Sequence, residues 1–108
     1  MILRKIWENE TDKPREKLLI NDFETETAAL GYVSIAKGES TDVGFHDDEE
    51  EMYIILKGRA KLRIGAETVE AGPGDVTYVP RNTEHQMTCI SDEKLEYLYV
   101  AIWPGKAG

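Results

Sequence analysis

Apolar residues in this chain either alternate with polar ones or gather in short runs between turns. Nowhere do they recur at helical spacing over three turns. Ala60 to Ile64 is the clearest case: Ala60, Leu62 and Ile64 stand against Lys61 and Arg63. That is the period of a strand with one wet face. Met52 to Leu56 is a short apolar run bounded by turns, which favours a strand over a helix. Ala28 to Ala36, Thr68 to Ala71, Val76 to Val79, His85 to Ile90 and Leu95 to Trp103 read as further strands, and Leu18 to Ile20 as a short one. Ile2 to Trp7 mixes apolar and charged residues and can form a first strand. Glu8 to Lys17, with Pro14, reads as a loop, and Asp22 to Thr27 fits neither pattern.

Turn signals fall between these runs at Lys57-Gly58-Arg59, Gly65-Ala66, Ala71 to Asp75 and Pro80 to Asn82. The first reads as a hairpin turn, with Gly58 and Gly74 as hairpin glycines. About nine short strands at close intervals predict an all-β sandwich or barrel. No internal repeat or low-complexity tract divides the 108 residues, so one domain is expected.

Composition narrows the function. The formal net charge is -8, which argues against nucleic acid, whose phosphates need clustered Lys and Arg, and against anionic membrane surfaces. The apolar fraction of 41% argues against disorder. A single cysteine, Cys89, excludes an intrachain disulfide and fits a reducing compartment. Met1 to Glu10 has no apolar stretch of signal-peptide length, and no run approaches a membrane span. A soluble, cytoplasmic protein is expected.

The candidate chemistry lies between Gly38 and Gly58. His46 is followed by five consecutive acids, Asp47 to Glu51, and then by the buried-strand pattern Met52 to Leu56. A carboxylate at the mouth of a strand about to be buried is costly unless a cation offsets it. Imidazole with carboxylate suits divalent first-row metals. His46 and Glu51 are an odd number of residues apart, so an unbroken strand would place them on opposite faces. They converge only if residues 47–50 bend. His85 follows a turn, on one face with Met87 and Cys89, while Glu51, Tyr53 and Ile55 share another. Taken singly, a histidine is more often packed or exposed than a ligand, and an acidic run is usually a solvated loop. Serine-histidine-aspartate spacing, a phosphate loop and a zinc-type cysteine cluster are all absent.

The spacing resembles the cupin family, whose first motif is G(X)5HXH(X)3-4E(X)6G. Here Gly38 is followed by five residues, Gly44-Phe45-His46, four residues, Glu51, six residues and Gly58. Gly44 stands where the first histidine is expected. The second motif, G(X)5PXG(X)2H(X)3N, is matched by Gly74, Pro80 and His85. Asn82 replaces its middle glycine and Cys89 its final asparagine. Asn tolerates left-handed backbone better than most residues, so that change is mild.

The resemblance implies a cupin jelly-roll barrel (a double-stranded β-helix) of antiparallel strands. It also implies a divalent metal ion (Fe, Mn, Zn or Ni) held inside by His46, Glu51 and His85. Glycine at 44 offers no donor. Either the set stays at two histidines and a carboxylate, as in the facial triad of non-haem iron oxygenases, or Asp42, Asp47 or Asp48 substitutes. A histidine placed at 44 is expected to point inward like His46 and tighten binding. Tyr53, Tyr78, Met87, Cys89, Tyr97, Tyr99 and Trp103 are expected to line the barrel, more of them as core than as pocket.

Two functions remain. One is a metal-dependent enzyme on a small molecule, foremost a dioxygenase, with isomerase or decarboxylase chemistry also within the superfamily and Tyr53 orienting substrate. The other is a non-catalytic module that binds or senses a metabolite or metal. A homodimer is expected through an apolar outer sheet face and the N-terminal segment Ile2 to Trp7.

Overall fold

In the computed structural model, residues 1–7 and 15–107 are described. Eight strands form among them: β1 (Glu16–Ile20), β2 (Ala28–Ile35), β3 (Glu50–Lys57), β4 (Ala60–Ile64), β5 (Glu67–Ala71), β6 (Val76–Val79), β7 (His85–Cys89) and β8 (Leu95–Ile102). The stretch that fits neither pattern contains a short 3-10 turn, Asp22–Glu24, and another 3-10 turn, Pro104–Ala107, follows β8.

The strands make two antiparallel sheets, one in the order β1-β2-β8-β3-β6 and one in the order β5-β4-β7. Their inner faces carry the alternate residues that the sequence pattern marks. Leu62 lies opposite Met87 and Ala60 opposite Cys89, while Ile35 lies opposite Leu95 and Ile55 opposite Tyr97. All eight are buried. A fully buried aliphatic side chain contributes about 1.5–3 kcal/mol, so a handful of such pairs holds the sheets together. Inward residues change character along each strand. On β3 they run Glu51, Tyr53, Ile55; on β7 His85, Met87, Cys89; on β8 Ala101, Tyr99, Tyr97, Leu95. One end of the interior is therefore apolar core, and the other is polar and aromatic. Tyr53 and Tyr97 meet edge to face, ring centroids 5.4 Å apart, between the two.

Four expectations are corrected. Gly58 and Gly74 do not serve hairpins. β3 is flanked on both sides, by β8 and β6, so it has no edge left for β4. The chain instead turns a corner into the other sheet at Gly58 and returns after Gly74. Gly58 has φ +77, and a Cβ there would meet the Lys94 carbonyl oxygen at 2.6 Å, so the corner admits no side chain. Gly65-Ala66 does close a hairpin, with Ile64 opposite Glu67. Asn82, at φ 59, takes the left-handed conformation expected of it at the corner from β6 to β7.

Ile2 to Trp7 is not a strand. Its contacts hold it to its own chain. Arg4 donates to Leu19 O at 2.8 Å and pairs with Glu24, while Trp7 Nε1 donates to Glu96 at 2.8 Å. Tyr78 does not line the barrel. It is 48% exposed on the outer face, and its hydroxyl donates to Glu50. The expected loop from Glu8 to Lys17 falls partly on 8–14, outside the described residues; its last two residues, Glu16 and Lys17, lie in β1.

Candidate metal centre

The polar end of the barrel is built by three pieces of chain. The first enters β3. Asp47 and Asp48 bend outward and are exposed, so the chain shifts face between His46 and Glu51 and both side chains turn inward. The His46 carbonyl accepts from Asn82 N–H at 2.7 Å, which fixes this bend to the β6–β7 corner. The second piece is the start of β7, carrying His85. The third is the segment 38–44, which runs antiparallel beside β7. It is joined by Gly38 N to Cys89 O, Thr41 N to Met87 O, and a two-way exchange between Gly44 and His85 at 2.9 and 3.0 Å.

These pieces bring His46, Glu51 and His85 together. His46 Nε2 lies 3.2 Å and His85 Nε2 3.3 Å from the same Glu51 oxygen, Oε1. One donor atom from each lies within 4.8 Å of the others. His85 Nδ1 is 3.1 Å from Thr83 O, so Nδ1–H donates to that carbonyl and Nε2 is the nitrogen left to face the site. Two imidazole nitrogens and a carboxylate oxygen aimed at one point, with the second nitrogen of His85 held by a backbone carbonyl, fit a divalent first-row ion.

The electrostatics agree with that fit. Burial pushes the Glu51 carboxyl up, but its hydrogen bonds with His85 and Glu49 and the nearby imidazoles outweigh this and hold it below the usual range. His85 is raised by its hydrogen bond to Glu51, against its own burial. Glu49 is pushed up to about 7, first by burial and then by Glu51 beside it. Tyr53, Tyr97 and Tyr99 are raised, chiefly by burial. Their phenols keep their protons and serve as hydrogen-bond donors, not as bases.

The cluster opens into a cavity of about 460 Å³. Tyr53, Tyr97, Tyr99 and Trp103 line it, more of the seven than expected, while Met87 and Cys89 belong to the core as expected. Tyr53 packs against His85, ring centroids 6.4 Å apart. Arg15 and Glu16 also face the cavity and were not singled out in the sequence; so does Glu49, which was expected to stay outside the metal site. Glu16 accepts from Tyr99 Oη at 3.1 Å. Asp42 lines the cavity too, but neither it nor Asp47 or Asp48 joins the donor cluster. The acid that turns in is Glu49, whose Oε2 lies 3.5 Å from His46 Nε2. Its signal was available: it stands two residues before Glu51 and so on the same face.

Comparison with known proteins agrees with this architecture. The cupin domain family matches residues 31–101, and the chain belongs to that family. An uncharacterized protein of Methanocaldococcus jannaschii, MJ1618, is 30% identical over 109 residues, covering 91% of this chain and 87% of that one. Two solved structures share the fold. The cupin domain of Schizosaccharomyces pombe Cnp3 has TM-score 0.77 at 21% identity, over 83% of this chain and 61% of that one. A predicted oxalate decarboxylase of Thermotoga maritima has TM-score 0.76 at 22% identity, over 82% and 78% respectively. Among the described residues, no helix is long and apolar enough to cross a membrane.

Proposed function

We propose that this cupin holds one divalent metal ion on His46, Glu51 and His85 and acts on a small molecule beside it, as a dioxygenase-like enzyme. The observation that carries the reading is the convergence of both histidine Nε2 atoms on one oxygen of Glu51, at the wall of the cavity. A volume of about 460 Å³ falls in the range of small-molecule sites. Bound there, an iron or manganese ion would supply Lewis acidity and exchangeable positions for ligands.

The chain's own residues have separable tasks. Glu51 supplies the negative charge that offsets the ion. The Thr83 carbonyl keeps the His85 proton on Nδ1. Tyr53, 6% exposed and protonated, donates a hydrogen bond toward whatever lies against Glu51 and so orients substrate. Ala29, Val33, Tyr97 and Ala101 give the cavity apolar walls.

The test is metal analysis of the purified protein, before and after reconstitution. Iron or manganese near one per chain supports the enzyme. A protein that takes up no metal even on reconstitution, yet binds small molecules, is a binding module instead. We place the protein in the cytoplasm, without a nucleic-acid partner; a buried, unpaired Cys89 and the charge of -8 support this.

We also propose a homodimer through the outer face of the five-stranded sheet. Met52 lies beside Tyr78 and Val100, and Ile54 beside Val76 and Leu98. Met52, Val76 and Tyr78 are 40%, 71% and 48% exposed, an apolar patch that a second copy would cover.

A further inference from the structure

The site lacks a donor at position 44, and the geometry shows why that position cannot simply be filled. Gly44 pairs with His85 across two antiparallel hydrogen bonds, and the imidazole lies over the glycine. A fourth donor must come from another direction. The acids of the bend divide by face. Asp47 and Asp48 are exposed, and Glu50 turns to the outer side, where it accepts from Tyr78 Oη. Glu49 and Glu51 are two residues apart at the mouth of β3 and point the same way, inward. The Glu49 side chain is 14% exposed and its Oε2 lies 3.5 Å from His46 Nε2, the atom that also faces Glu51. A second carboxyl drawn into a half-buried cluster is costly as a charged group unless a proton or a cation offsets it.

Building on the metal reading above, we propose that Glu49 is the fourth donor of this site and takes the place of the side chain missing at position 44. The set is then two imidazoles and two carboxylates, which balances the charge of a divalent ion. It has more oxygen than a three-histidine set, so it narrows the lead that zinc holds over harder ions such as manganese and iron(II).

The experiment titrates Mn²⁺ and Zn²⁺ against a competing chelator for the wild type, Glu49→Gln and His46→Ala, and records the visible absorption of bound Co²⁺. Thermal unfolding without metal checks folding; Glu49→Gln keeps a hydrogen-bond donor toward Glu51 and carries no charge, so the ion-free variant should unfold no earlier than the wild type. We expect Glu49→Gln to weaken Mn²⁺ by at least about tenfold, as much as loss of an outer-shell partner or more. Zn²⁺ should weaken less, and the Co²⁺ bands should shift. Mn²⁺ affinity within about twofold of the wild type, a lost ligand being worth far more, overturns the proposal. Weaker binding with unchanged Co²⁺ bands also overturns it, since Glu49 would then act only through His46. A wild type that takes up no ion, like His46→Ala, overturns the metal reading as well, so the two failures are told apart.

Discussion

The imidazole of His85 lies over Gly44, so that a Cβ at position 44 would sit 2.5 Å from His85 Nε2. The two residues form a close antiparallel pair, and the ring leans into the space that a side chain would begin to fill. The same device recurs on the opposite wall, where Gly31 pairs with Tyr99 and a Cβ would meet that ring at 2.1 Å. Position 44 is therefore not vacant space awaiting a ligand. A side chain there must displace the nitrogen that is itself a candidate donor.

This reverses the expectation for Gly44→His. Both Gly44→Ala and Gly44→His should push the His85 ring aside and weaken divalent-ion binding, alanine by about tenfold, the scale of a misplaced or lost supporting contact. Chelator competition measures it. Tighter binding by Gly44→His would mean that the ring swings away cheaply and position 44 donates after all.

His46→Ala, His85→Ala and Glu51→Gln should each abolish stoichiometric metal, because each supplies one of three converging atoms. They should also remove any rise in melting temperature on adding the ion, since an ion bound only by the folded state stabilises it by linkage. Elemental analysis and a thermal melt read both. Full occupancy in the His85 variant would exclude that residue from the site.

The ion-free protein should lose stability as pH rises through about 7. Glu49 is raised to about 7 and His85 is raised above its usual value, so the folded chain holds protons that the unfolded chain has already released. That contribution is complete below the unfolded pKa of each group and fades as pH climbs through the folded one. Glu51, held low, acts oppositely and matters only toward acid. Denaturant melts at pH 5.5 and 8.5 should show the ion-free midpoint lower at the higher pH, and an added divalent ion should shrink the gap. A midpoint that rises with pH would refute the assignment.

Glu96 is 5% exposed although it sits on the outer face of the sheet. Tyr32 Oη and Trp7 Nε1 donate to it, and Lys57 Nζ lies 3.8 Å away. Burial together with the Glu96 hydrogen bond raises the Tyr32 phenol to about 12. Tyr32→Phe leaves the buried carboxylate short of a donor and should cost about 1–3 kcal/mol. Trp7→Ala should cost a similar amount by uncovering it. Urea denaturation measures both, and a loss below about 0.5 kcal/mol, the usual range for a surface change, would mean that the N-terminal segment merely rests on the sheet.

If the outer face pairs two copies, Met52→Lys with Tyr78→Lys should give a monomer by light scattering at micromolar concentration, with metal content unchanged because neither residue lines the cavity. A wild-type monomer at that concentration would remove the dimer altogether.

Much of the candidate centre was legible because it is local. Alternation puts Glu51, Tyr53 and Ile55 on one inward face and His85, Met87 and Cys89 on another, and the odd spacing of His46 and Glu51 demands the bend that is found at Asp47-Asp48. The turns were legible as turns, since glycine and asparagine mark where φ must be positive. Where each turn leads was not. Whether Gly58 closes a hairpin or sends the chain to the other sheet depends on β8, about forty residues away, occupying the edge of β3. The ring of His85 over Gly44 and the folding back of Trp7 onto Glu96 are likewise decided by residues distant in the chain. Strand period is a property of neighbours and can be read along a sequence. Which strands pair, and what space a missing side chain leaves, is settled only when separate segments compete for the same edge and the same volume.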